Sequence, residues 1–217
     1  MTDRELAIQY APHLYFDKNE PFNLDRIGFS VFYKSQRSKS FERDIRLDDK
    51  TAFAVEYQLY YDYDIQHMYD LEHVWVYVAQ DGSVLNAEAS AHGSFLNCYR
   101  YNPILEEDTH LRIFVQPGKH ALFPDGRLFL LYSDYELVCN RLAGIDGLLV
   151  PAMFQGQIRK NSYIDYMVCT YIREHFSFEP SLEFDRRAYE ETIIVTWEEL
   201  YRQIPERINK RLEEMGL

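Results

Sequence analysis

The sequence lacks the short motifs that announce a reaction. It has no Gly-rich phosphate loop, no nucleophile elbow and no HExxH stretch, so no reaction class is specified. It is poor in cysteine: Cys98, Cys139 and Cys169 are widely spaced and include no CxxC pair. That argues against a disulfide framework or a zinc–thiolate site and leaves buried, reduced thiols as the expectation. No apolar run approaches the ~18 residues that a spanning helix needs, so no integral membrane association is expected. The opening "MTDRELAIQYAPHLYF" has no basic segment leading into an apolar one, which points to a cytoplasmic protein. Positive charge is also short. Lys and Arg number 23 against 35 Asp and Glu, a net charge of −12, and such a field repels a phosphate backbone. No nucleic acid is expected as a partner.

Aromatic residues are plentiful. The 217 residues include 18 Tyr and 14 Phe, a composition suited to a packed chain that leans towards β structure. Residues 1–217 read as a single domain with two parts. An antiparallel β-sandwich is expected over 1–130, and additional C-terminal helices packed on it over 131–217. "GFSVFYK" fits a strand. In "TAFAVEYQLYYDYD", Phe53, Val55, Tyr57, Leu59 and Tyr61 alternate onto one face. Asp81-Gly82 is a hairpin signal, and Ala87, Ala89 and Ala91 of the return strand imply close approach of another layer. Between these, "YKSQRSKSFERDIRLDDK" (33–50) reads as a surface loop with solvated charges. "NSYIDYMVCTYIREHF" and "TWEELYRQIPERINKRLEEMGL" have helical spacing. Ser162/Asp165 and Thr196/Glu199 resemble capping boxes, and Pro205 should kink the second helix or start another.

The chemistry concentrates in "HMYDLEHVWVYV", residues 67–78. Strand parity puts Asp70 and Glu72 on the face of Val74, Val76 and Val78, at the lip of an apolar row. Asp64 and His67 lie in the connection just upstream, where one tight turn would bring all four to one point. Carboxylates so close raise one another's pKa unless a proton or a cation sits among them. Three carboxylates and an imidazole suit Mg²⁺, Mn²⁺ or Ca²⁺, without excluding iron or zinc. A solvated acidic loop is the other reading of the same residues. His92, in "SAHG" at the end of the return strand, would orient a metal-bound water, act as an acid or base, or simply close a turn. Tyr60, Tyr61, Tyr63 and Tyr69 flank this mouth as either a stacking wall for a sugar or half-buried core. Lys119 and His120 lie on the opposite rim or are structural.

These segments resemble a known superfamily. "YDLEHVWVYV" followed by "ASAHGSF" is similar to the GHRHDWEHVVVWV-type and SAHGGY segments of the necrosis- and ethylene-inducing peptide-like (NLP) cytolysins. It is also similar to the HxGDWE-type motif of the related vacuolar-sorting-associated family. "YAPHLYFDKNEPF" and "GKHALFPDG" resemble that family's YAPxxYxxxxExY and GSHAxYP segments. The likeness covers about residues 10–127. It implies a β-sandwich holding a divalent metal at one edge, with Asp64, His67, Asp70 and Glu72 as ligands and His92 nearby. Asp17 and Glu20 fall on an acidic position of the vacuolar-sorting family. Tyr69, Leu71 and Gln66 depart from the cytolysins' His, Trp and Gly. Three functions follow as expectations. One is a divalent-metal-binding protein whose cation helps to hold a small-molecule or glycan ligand bearing sugar hydroxyls or phosphate, with Tyr69 and His120 touching it. Another is a metal-assisted hydrolase with His92 as acid or base. The last is a purely structural metal.

Overall fold

The computed structural model describes residues 1–100, 105–132 and 134–217. Its strands are β1 (His13–Asp17), β2 (Arg26–Phe32), β3 (Gln36–Arg37), β4 (Asp44–Ile45), β5 (Thr51–Tyr63), β6 (His67–Ala79), β7 (Val84–Ala91), β8 (Ser94–Asn97), β9 (Leu105–Glu106), β10 (His110–Val115), β11 (Leu122–Phe123), β12 (Gly147–Leu148), β13 (Phe184–Arg186) and β14 (Ile194–Thr196). Its helices are α1 (Asp3–Gln9), α2 (Tyr135–Cys139), α3 (Ser162–Phe176) and α4 (Trp197–Glu214). Among the described residues, no helix is long and apolar enough to cross a membrane.

The larger sheet runs β14–β2–β5–β6–β7–β8, with β12 also pairing β6. The smaller runs β11–β10–β1–β13, with β9 on β10. One buried cluster joins them. Val55, Tyr57, Leu59 and Tyr61 of β5 and Val74, Val76 and Val78 of β6 meet Leu14 and Phe16 of β1 and Ile113 and Val115 of β10. Each fully buried valine contributes about 1.5 kcal/mol or more. Ala87 and Ala89 of β7 are wholly covered, as their alternation predicts. The hairpin at Asp81-Gly82 closes with Gly82 at φ 86°, and the Ala79 N–H donates to the Ser83 carbonyl.

Three expectations need correction. The sheets are mixed rather than antiparallel: β1 pairs β10, β14 pairs β2, and β12 pairs β6 in parallel. The C-terminal third is also not helical alone, since β13 joins the smaller sheet and β12 and β14 the larger. Strands of two or three residues are too short to show a period. Finally, segment 33–50 is not a solvated loop. It lays Ile45 (0% exposed) and Phe41 against Trp75 and Tyr77, on the face of the larger sheet away from the shared core.

The helices follow their apolar stripes, with two differences at their ends. The N-cap of α3 is Asn161, whose side chain accepts from Ile164 N; Asp165 instead accepts from Leu148 N. Thr196 caps α4 as expected, and that helix runs through Pro205 without interruption, with Pro205 buried. Cys98 and Cys139 are buried and all three cysteines are free.

Candidate functional site

The site begins with the turn between β5 and β6. Asp64 Oδ1 accepts from Gln66 N at 2.6 Å and His67 N at 2.7 Å, and Asp64 N donates to the His67 carbonyl at 2.8 Å. This is an Asx turn, built by a short side chain that mimics backbone. It leaves Asp64 only 1% exposed, with Oδ2 still to be satisfied. Register then puts Tyr61 opposite Asp70 and Leu59 opposite Glu72, at the lip of the shared core.

A second loop, between β10 and β11, is locked onto this turn. Ile65 N donates to the Gly118 carbonyl at 2.7 Å, and Gly118 N donates to Glu20 Oε2 at 2.7 Å. The loop thereby delivers two cations. Lys119 Nζ forms an ion pair with Asp64 Oδ2. The ring of His120, with no exposure, sends Nδ1–H to Asp70 Oδ2 at 2.9 Å and holds Nε2 3.7 Å from Glu20 Oε1. The latter separation is ionic, too long for a hydrogen bond.

Electrostatics divides the carboxylates. Burial raises the Asp70 pKa, but the His120 hydrogen bond and charge, with His67 and Lys119 behind it, hold it below the ordinary value. Burial drives Glu72 well above its ordinary value, and the neighbouring Asp70 charge adds to this. Its relief is a short hydrogen bond from Ser90 Oγ, which in turn accepts from His73 N at 2.6 Å. Burial disfavours charge on His120, yet Asp70 and Glu20 outweigh it and take the pKa up to about 9. His67 Nδ1 donates to the Tyr69 carbonyl at 2.8 Å, leaving Nε2 available 3.3 Å from Asp64 Oδ2.

Asp64 and His67 are thus in contact, Asp70 and Glu72 are electrically coupled to each other, and Lys119 acts on all three acids. As the side chains stand, no group of three or more His, Cys, Asp or Glu among the described residues could hold a metal ion. The donor types suit one, but Lys119 and His120 already serve the carboxylates that it would need. Reading Lys119 only as a possible rim residue missed its ammonium on Asp64.

His92 is exposed at the β7–β8 turn, at φ 50° next to Gly93 at φ 75°. Its ring lies 5.9 Å from that of Tyr132, and no hydrogen bond joins it to the acidic cluster among the described residues. The tyrosines belong to the core: Tyr60 and Tyr61 are 0% exposed, Tyr63 8% and Tyr69 5%. Asp17 ties down a distant segment through Ser181 N and Leu182 N. Tyr69 (φ 80°), His92 and His120 (φ 57°) are among the few non-glycine residues in the left-handed region. Such strain gathers where a fold is committed to a particular side-chain position.

No family model matches this chain, and no curated protein matches it. Among solved structures it is similar to NLPPya in complex with glucosamine, with 16% identity and a TM-score of 0.37, covering 54% of this chain and 64% of that one. It is similar to the same protein in complex with mannosamine, at 17% identity and a TM-score of 0.35, over 54% and 66%. It is also similar to Necrosis and Ethylene inducing Protein 2 from the causal agent of cocoa's Witches Broom disease, at 18% identity and a TM-score of 0.36, over 56% and 67%. The chain therefore spans less than two thirds of the length of NLPPya in its glucosamine complex.

Proposed function

We propose that the protein is a cation-dependent binding module whose edge site exchanges the Lys119 ammonium for a divalent metal ion. The supporting observation is an excess of buried carboxylate. Glu20, Asp64 and Asp70 share Lys119 and His120 as their cations, and Glu72, whose pKa burial raises, meets only the Ser90 hydroxyl. A divalent ion relieves that imbalance better than one ammonium does. Asp64, Asp70, Glu72 and His67 Nε2 would hold it once Lys119 turns outward. Lys119, His67 and Asp70 are the exposed corner of the cluster, with side chains 15%, 14% and 13% accessible. A ligand would meet the site there. When bound, the metal supplies charge and open coordination positions for sugar hydroxyl or phosphate oxygens. Tyr69, Tyr61 and His120 then act as the packed wall that fixes the acids.

The test is calorimetric titration of chelator-treated protein with Ca²⁺, Mg²⁺ and Mn²⁺, beside Asp70→Asn and Lys119→Ala. Binding that is lost in Asp70→Asn and strengthened in Lys119→Ala is expected. Wild-type binding unaffected by either substitution places any metal elsewhere and refutes the reading. Sugars and phosphate esters titrated with and without the bound ion then identify the ligand class.

A further inference from the structure

The other face of β6 carries a second constellation, remote from Glu72 by strand parity. Arg43, from the polar segment 33–50, lies between two aromatic rings. Its guanidinium carbon is 4.3 Å from the centre of Trp75 and 3.9 Å from that of Phe95. The side chain is only 9% exposed. Nη2 donates to Glu88 Oε2 at 2.6 Å and to the Tyr77 hydroxyl at 3.3 Å. Nε and Nη1 are buried with no hydrogen-bond partner. A guanidinium cannot shed its charge, so two unmet donors beside a cavity are a costly arrangement for a protein to keep.

That cavity is an open cleft of about 770 Å³, lined by Arg43, Arg46, Leu47, Lys50, Leu85 and Phe95 with Asp44, Asp48 and Glu88. Its acids are engaged. Glu88 is held by Arg43, Asp48 accepts from Thr51 and from the Lys50 backbone, and Asp44 lies 3.8 Å from Arg37. Arg46 and Lys50 have no ion-pair partner among the described residues. On a chain of net charge −12, the lining of this cleft is charge-balanced, with Arg43, Arg46 and Lys50 against Asp44, Asp48 and Glu88, and each acid is already held by a neighbour on the protein. Its apolar side is Leu85 and Phe95, 37% and 46% exposed.

We infer that this cleft binds a small organic anion with a flat apolar body. Its carboxylate or phosphate-monoester head sits on Arg43, Arg46 and Lys50, and its ring lies against Phe95 and Leu85. Charge-assisted bonds fix the head, and stacking on a face already polarised by Arg43 holds the body.

Benzoate, phenyl phosphate and neutral benzamide serve as probes, followed by NMR of the Arg43 Nε–H and the amides of 43–50 and 85–95. Saturable shifts with benzoate or phenyl phosphate, and none with benzamide, support the inference, and the tighter acid names the head group. The double variant Arg46→Gln/Lys50→Gln, exposed and tolerable to the fold, should weaken binding by about tenfold or more, the loss expected for charge-assisted contacts. Arg43→Lys, if it folds, should lose the stack and most of the affinity. No response to either acid, equal binding of benzamide, or an unchanged double variant overturns the proposal.

Discussion

His120 lies face to face with Tyr61, their ring centres 3.9 Å apart and 17° from parallel. The imidazole carries its charge in a fully buried place because Asp70 and Glu20 flank it and a tyrosine face covers it. The pH dependence follows. The folded value of about 9 exceeds the unfolded value of about 6.5, so the folded chain holds an extra proton between them. The stabilisation is fully present below about pH 6.5 and is lost as pH rises through about 9, at up to about 1.4 kcal/mol per unit. Urea unfolding of wild type over this window should show the fall, and His120→Gln should flatten it. An unchanged slope in the variant would mean that the imidazolium is absent.

Lys119→Ala removes the cation from an acid that is 1% exposed. Asp64 keeps its two backbone donors, so the turn survives, but an uncompensated buried carboxylate costs about 3 kcal/mol. In chelator, a lower melting temperature is expected. If the exchange site exists, Mn²⁺ at about a hundred times its Kd restores about 2.7 kcal/mol. The double variant with Asp70→Asn should show no such recovery. Equal rescue of both variants would sink the exchange model.

Part of this site is legible along the chain, because Asp64, Asp70 and Glu72 sit in one hairpin, whereas Glu20 comes from beyond β1. Parity places Asp70 and Glu72 at the end of an apolar row, and two turn residues of the right type precede them. The cations that meet them are not legible in that way. Lys119 and His120 arrive from a loop about 50 residues away, and only the folded contact of Ile65 with Gly118 brings them in. The long alternating strands were readable for the same local reason that β12, β13 and β14 were not: these have too few residues to repeat. Segment 33–50 misled through its charge. Arg43 looks like a solvated side chain in sequence, and only the facing Trp75 and Phe95 make it a buried one.

Gly118→Ala tests how tightly the two loops are joined. Gly118 has φ 68°, which costs a residue with Cβ about 1–2 kcal/mol. The added carbon would also lie 2.9 Å from Ile65 Cβ and Cγ2 and 3.1 Å from Cys139 Sγ. None of these is the end of a flexible chain, so the loop must shift. A loss of about 2 kcal/mol or more is expected, with faster exchange of the Ile65 amide. Its slow exchange in the variant would show that the β10–β11 loop does not depend on this contact.

At acid pH one contributor is His73, on the sheet face away from the cluster. Its ring stacks on Trp75 at 5.5 Å and meets Phe41 edge-on at 5.0 Å, with Nε2 3.0 Å from Ser40 Oγ. Burial depresses its pKa to about 3, with the Asp70 charge pulling the other way and Arg43 adding to the depression. The unfolded chain takes up a proton near pH 6.5 and the folded chain refuses it, so stability falls as pH drops from about 6.5 towards about 3. The slope from this residue approaches about 1.4 kcal/mol per unit. His73→Phe keeps the ring among its aromatic neighbours. It gives up one hydrogen bond, about 1 kcal/mol at neutral pH, while Ser40 Oγ still accepts from Gln58 Nε2. The variant should therefore be less stable than wild type at pH 7 yet lose stability more slowly on acidification, measured by chemical unfolding at several pH values. Parallel pH profiles for the two proteins would show that His73 is already protonated in the folded state.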